Sequence, residues 1–469
     1  MSRSMARLGA SVASLVVGSL ALAGCATAAP PIRVGAVFPI SGSAASLAGE
    51  ELRGVQIAAD LVNAAGGIRG RQIVLDVRDL ESADQAPTVM ASLKSDGVSV
   101  VVGTYSSDLS VPASAAADAA GLVYWEAGAV ADRLTGRGLP LVFRVGASGT
   151  NLGSNSASFA ATQLAPRLGR PASRLRLAIV AARDDYATSV ADAAARTAGA
   201  ASVPIVARIT YDLVLPQWPA VMQQLAAARP DVIILASHIP DGVAFRQAMI
   251  GAGLRVGALI GSTMAECDPD FAGELGQAAV GVFASDRPTG GFQPTALDPA
   301  ARATYDRLAA AWASGQDASP AASSASSSTS SSASPSAAVG WSDGGSYGSG
   351  NAAGGTTISG PDTAPSSNGP TEEGISGFSA AWALFDAVLP AASGNVTADG
   401  VAAAARSVDL PEGALPNGAG LRFSTDPATL GQNVRAAAVI WQWQAVRSYV
   451  FVWPPTYATG TIGFVPLGR

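Results

Sequence analysis

The sequence predicts an α/β protein of two lobes, each a doubly wound parallel sheet, joined by a three-strand hinge and carrying a disordered insertion. Three observations predict this. Buried apolar runs alternate with helical patterns over short connections, as βα units do. The alternation stops at a polar stretch, 148–158, and restarts in the same order. A 57-residue segment from Ser314 to Pro370 is almost entirely Ser, Ala, Gly, Thr and Pro.

In the first half, Ile32 to Ile40 reads as a buried strand, followed by a small-residue loop from Ser41 to Ser46. Leu52, Val55, Ala59 and Val62 then recur at helical spacing, and Gly66-Gly67 end that helix. Strands at 73–77, 98–102 and 122–125 alternate with helices at 83–94 and 111–120. In the second half, strands at 175–180, 205–209, 231–235 and 258–260 alternate with helices at 186–197, 218–228 and 243–251. The insertion has too little apolar surface to offset chain entropy. Beyond it come helices at 378–389 and 401–407, then two β-rich runs between Val434 and Val452.

Composition limits the function. The 469 residues carry 29 Lys and Arg against 35 Asp and Glu, a net charge of −6. Nucleic-acid binding needs a dense basic surface, which this balance does not provide. One His and two Cys cannot build a four-ligand His/Cys zinc site or a disulfide framework. No cofactor or metal is expected. A Ser-His-Asp triad could use only His238, and no G-x-S-x-G elbow joins a predicted strand to a helix, so no enzyme is expected.

The first residues read as an address. Arg3 and Arg7 precede an apolar run, Val12 to Ala23, too short to span a bilayer comfortably. It ends in Leu22-Ala23-Gly24-Cys25, which resembles the bacterial lipobox. That resemblance implies lipid attachment at Cys25, a signal peptide over 1–24 and a tether over 25–31. No later segment reads as long and apolar enough for a membrane span. Cys267 reads as a small buried hydrophobe.

Ligands of open parallel sheets sit beyond the carboxyl ends of the strands. Six loops qualify: 41–46, 104–107 and 126–130 in the first half, and 183–186, 237–240 and 261–264 in the second. They are rich in hydroxyls, small residues and backbone N–H groups, a good seat for a carboxylate.

At these positions the chain resembles the type I periplasmic-binding-protein family, in its Leu/Ile/Val-binding branch serving ABC importers. Val34-Gly35-Ala36-Val37-Phe38-Pro39-Ile40-Ser41-Gly42 is similar to the family's first strand and loop. Glu51-Leu52-Arg53-Gly54-Val55 resembles its first helix, and Asn63-Ala64-Ala65-Gly66-Gly67-Ile68 the next turn. Residues 103–112, with Ser106-Ser107 inside, resemble its serine-bearing loop. Leu134-Thr135 and Phe143-Arg144 resemble the approach to the hinge, and Asp184-Asp185-Tyr186 the loop opening the second lobe.

The resemblance implies a monomeric, extracytoplasmic, lipid-anchored solute receptor. It would close on a small amino acid, amide or carboxylate and deliver it to an ABC permease in the membrane; a sensor of the same fold without transport is the alternative. Lobe 1 would comprise 32–147, 284–313 and 371–420, with the insertion 314–370; lobe 2 would comprise 148–283 and 421–469. The chain would pass between lobes near Ala147, Phe283 and Leu421. Ser106 or Ser107 would hold a ligand carboxylate. Gly128, Ala129 and Val130 would meet the ligand, though Val130 stands where the family has a Thr hydroxyl. Tyr186 and His238 would line the cleft. Thr263 stands where amino-acid-binding members often carry an acidic residue for the α-ammonium. Either Glu126 (or Glu266 nearby) supplies that charge or the ligand lacks an α-ammonium, and the sequence leans to the second.

Overall fold

The computed structural model describes residues 29–262, 269–316, 369–392, 394, 396–446 and 448–467. Two sheets organise them. The first has five parallel strands: β1 (Ile32–Phe38), β2 (Ile73–Asp79), β3 (Val100–Gly103), β4 (Val123–Glu126) and β5 (Val142–Arg144). Their spatial order is β2-β1-β3-β4-β5. The second sheet runs β12-β11-β10-β9-β8-β6-β7. Its parallel strands are β6 (Leu177–Ala182), β7 (Ile205–Tyr211), β8 (Val232–Ala236), β9 (Ala258–Ser262) and β10 (Phe283–Asp286). Antiparallel β11 (Val439–Ala445) and β12 (Ser448–Trp453) extend it at one edge.

Continuous apolar runs make these strands. Every residue of β3, β6 and β8 is buried, as in parallel sheets covered by helices on both faces. The strand order reverses beside β1 in the first sheet and beside β6 in the second. The loops after β1, β3, β6 and β8 therefore open the crevices where such sheets bind ligands.

Several elements differ from the sequence expectation. The polar stretch 148–158 is a buried helix, Gly149–Phe159. The Ser148 side chain accepts from Asn151 N–H, and Asn151 reaches back to Ser148, which starts the helix despite its polarity. Its Asn155 donates to the Val439 carbonyl at 3.0 Å, satisfying a polar group inside the second lobe. Strand β5 was not anticipated; three residues carry too little periodicity to read. The loop 41–46 is shorter than expected, because the first helix begins at Ala45. Leu421 and Phe423 pack in the core of the first sheet. The third passage between lobes therefore falls between Asn433 and Val439, beyond the expected Leu421. Ser314 lies within the helix Pro299–Gln316; the bulk of the expected insertion, 317–368, lies outside the described residues.

One segment corrects the expectation of no further span-length stretch. Helix Glu372–Ala391 reaches a mean hydropathy of 1.2 over a span-length window, yet 72% of that window is buried in the protein. It is the core helix of the first lobe, packed against helix Ala45–Ala64. The two backbones touch at glycines: a Cβ on Gly54 would stand 2.1 Å from the Gly374 carbonyl oxygen.

Three passages join the lobes. The first, after β5, and the third lie side by side: Arg144 N donates to the Gly431 carbonyl and Asn433 N to the Arg144 carbonyl, both at 2.9 Å. Asn433 Nδ2 also donates to Val145 and Gly420 carbonyls. The second passage follows β10 and carries Arg287. Between them is a cavity of about 10 Å³, the size of one water, lined by Val145, Gly146, Arg287, Ser376, Asn417 and Ala437 among others.

Candidate ligand-binding cleft between the lobes

On the first-lobe side, β3 ends at Gly103 and helix Ser107–Ala119 begins with Ser106 at its N-cap. The Ser106 side chain makes no capping bond. Ser107 is buried, and its Oγ accepts from Val130 N at 3.2 Å and Ala131 N at 3.0 Å. This hydroxyl ties the β3 loop to the β4 loop and leaves its own O–H to donate.

Glu126 ends β4 in full burial. One oxygen accepts from Gly128 N and Ala129 N at 2.9 Å each, and the other from Tyr124 Oη at 2.9 Å. Burial holds its carboxyl above the usual range, while those donors pull it back. Its acceptor capacity is spent on shaping the loop.

The rest of that loop is equally committed. The Gly128 carbonyl accepts from Arg287 Nη1 at 2.9 Å, and the Ala131 carbonyl from Arg144 Nη1 at 2.6 Å. The Val130 carbonyl accepts from Gly149 N of the second lobe at 2.7 Å. The Val130 side chain packs within the second-sheet core cluster. Arg144 is fully buried, and desolvation lowers its guanidinium to about 10.

On the second-lobe side, Asp184 caps helix Asp185–Ala200, accepting from Ala187 N at 2.7 Å. Tyr186 is buried; its hydroxyl donates to the Ser262 carbonyl at 2.7 Å, joining helix to strand β9. Its ring meets the His238 ring edge-on, centroids 5.2 Å apart. His238 caps helix Ile239–Gly251, and its Nε2 lies 3.0 Å from Asp184 Oδ2. Burial works against the imidazolium, but the Asp184 bond and charge outweigh it and raise the His238 pKa. Thr263, Glu266 and Cys267 lie outside the described residues, as does Cys25.

The two sides meet. Asp132 N donates to Ser189 Oγ at 3.0 Å, and Arg133 pairs with Asp185 at 3.0 Å. Asp132 also accepts from Thr150 N at 2.9 Å. Asp108, in the first turn of helix Ser107–Ala119, is pushed up by burial and then by the facing Asp184. The structure thus gathers Ser106, Ser107, Glu126, Gly128, Ala129 and Val130 on one wall, and Tyr186 and His238 on the other.

Two functional candidates were missed in the sequence. Arg287 is buried, with Nε donating to Glu372 Oε1 at 2.8 Å. Burial opposes its charge, but Glu372, then Asp286 and Glu373, raise its pKa. Glu51 is fully buried on helix Ala45–Ala64. Its position four residues before Val55 places it on the apolar face, a signal that was legible but unread.

Comparisons with known proteins agree with this architecture. A family profile described as a periplasmic binding protein matches residues 31–333, well over half of the chain. The Leu/Ile/Val-binding protein homolog 8 of Brucella abortus is 36% identical over 231 residues, 49% of this chain and 57% of the relative. The match thus spans little more than half the length of that curated relative. A solved structure of a branched-chain amino acid ABC transporter protein from Silicibacter pomeroyi superposes with a TM-score of 0.67 at 18% identity, covering 93% of this chain and 99% of that one. The substrate binding protein LivJ of Streptococcus pneumoniae, solved with isoleucine, superposes with a TM-score of 0.62 at 19% identity, covering 90% and 100%. With a matched profile over most of its folded length and two parallel-sheet lobes on a three-strand hinge, the chain belongs to the periplasmic binding protein family.

Proposed function

We propose that this protein is an extracytoplasmic receptor that captures an apolar amino acid between its lobes and hands it to an ABC importer. The observation that carries this reading is the convergence of strand-end loops from both sheets, with Asp132 of one lobe bonded to Ser189 of the other. The names of the similar proteins support the ligand class. The Ser107 O–H is the donor aimed at the ligand carboxylate, with the β4 loop as a rigid wall behind it. Hinge closure about the three passages buries the ligand and makes the surface a permease reads. This reading departs from the leaning towards an amine-free ligand. That leaning held Glu126 to be the main acidic candidate, and Glu51 supplies another.

Titration calorimetry with leucine tests the reading. Ser107→Ala is expected to weaken binding roughly ten- to a hundredfold, the loss of a hydrogen bond to a charged group worth about 1.5–3 kcal/mol. Ser46→Ala, exposed in the first turn of its helix, should change affinity little. Equal effects of the two substitutions, or no leucine binding by the wild type, would contradict it.

Lipid attachment at Cys25 would keep a monomeric receptor beside its permease, since several acyl chains anchor stably. In cells, Cys25→Ser should move the protein out of the detergent phase or leave it unprocessed. Wild-type partitioning with normal cleavage would refute the anchor.

A further inference from the structure

Glu51 is a carboxylate with unspent capacity. It is 0% exposed, and neither of its oxygens has a hydrogen-bond partner among the described residues. A buried charge in that state is costly unless something pairs with it. The groups facing it are Glu126 from β4, Arg287 after β10, and Glu372 and Glu373 from helix Glu372–Trp382, with Glu50 of its own helix beside Glu373. Arg287 does not serve it: that guanidinium donates to Glu372 and to the Gly128 carbonyl. Among the described residues no three such acidic groups are placed to hold a metal ion.

Gly128 lies against the site: a Cβ there would stand 2.1 Å from Glu51 Oε2, so only a glycine leaves the carboxylate its place beside the β4 loop. Gly128 belongs to the β4 loop that forms the first wall of the cleft, beside Ser107. The backbone carbonyls of that loop, which could otherwise hold an amine, are taken by Arg287, Arg144 and Gly149. An acceptor without donors, adjoining the place where a ligand carboxylate is held, matches a primary ammonium with its three N–H groups.

We propose that Glu51, set against the bare face of Gly128, receives the ammonium group of the bound amino acid; the assignment rests on the amino-acid reading above. Burial, and then the neighbouring Glu126, hold the Glu51 carboxyl well above its usual range, with Arg287 pulling the other way. Burial thus favours the protonated form of Glu51 in the empty protein. When the ammonium arrives, the carboxylate–ammonium pair forms and that proton leaves to solvent. Leucine affinity therefore rises with pH, by about tenfold per pH unit while Glu51 is protonated in the empty protein.

The test is calorimetry of the full chain with leucine and with 4-methylpentanoate, its deaminated analogue, in two buffers of different ionisation enthalpy. The wild type is expected to release about one proton per leucine and none with the analogue. Glu51→Gln should lose roughly tenfold or more in leucine affinity and lose the proton release, with the analogue unaffected. Gly128→Ala, which covers the same oxygen, should discriminate against leucine in the same way. If Glu51→Gln fails to fold, the wild-type proton count decides alone. Leucine binding without proton release, or with full affinity in folded Glu51→Gln, overturns the assignment and leaves the amino-acid reading standing. Binding of the analogue with no binding of leucine overturns that reading itself.

Discussion

Arg287→Met is expected to be the most damaging single substitution outside the hydrophobic cores, costing about 3–5 kcal/mol of stability at neutral pH. Removing one partner of a buried pair leaves the other charge unpaired, and that magnitude is the usual result. Here Arg287 faces Asp286, Glu372, Glu373 and Glu51. The pH dependence gives a second readout. Burial, then Glu372, push the Glu373 carboxyl up to about 8, and burial first also raises Asp286 and Glu51. A carboxyl raised above its unfolded value binds more protons when folded, so stability falls as pH rises between the two values. Wild-type stability should therefore decline from about pH 5 towards pH 8 on this account, and the decline should steepen in Arg287→Met. Urea unfolding at both pH values measures it; a variant as stable as wild type at neutral pH would contradict the ion-pair account.

Gly54→Val is expected to be comparably severe for a different reason. Its first side-chain atom would meet the Gly374 carbonyl oxygen at 2.1 Å and the Phe378 nitrogen at 2.7 Å. Neither is a movable side chain, so helix Ala45–Ala64 must shift off helix Glu372–Trp382. Overpacking of this kind costs about 1–3 kcal/mol or more. The shift also draws Glu51 away from Gly128, so leucine binding should weaken along with stability. Gly49→Ala, one turn earlier with open space around the new atom, should instead stabilise the helix by up to about 1 kcal/mol. Thermal unfolding of the pair separates the two effects, and equal melting temperatures would contradict close backbone packing.

The fold was legible because parallel strands buried on both faces leave unbroken apolar runs such as Val232–Ala236, and the helices between them keep helical spacing. Trp218–Ala228 was placed to the residue. What could not be read is structure made by polar residues satisfied at a distance. Helix Gly149–Phe159 looks like a loop in sequence, because Asn155 finds its partner at Val439, 284 residues away. The third passage was misplaced because Leu421 and Phe423 carry no local sign of which core they join; only the ring contacts of Phe423 with Trp125 and Phe143 decide it.

The site shows the same division. Strand-end loops are identifiable from the sequence, and Ser107, Tyr186 and His238 stand at such ends in the structure. Their partners were not readable: Ser107 holds Val130 and Ala131, and His238 faces Asp184, 54 residues away. Glu126 looked available for an ammonium in sequence, whereas three local donors occupy it. Glu51 stands on the apolar face of its helix by spacing, but what buries it is a helix more than 300 residues away in sequence, which no local pattern shows.

Hydrogen–deuterium exchange with and without leucine tests interlobe capture most directly. Capture between the lobes should slow exchange, on the same leucine concentration dependence, in segments from both walls: 104–108 and 128–132 of the first lobe, and 184–189 and 237–241 of the second. Leucine binding that slows exchange on one wall only, or on neither, would contradict a ligand held between the lobes.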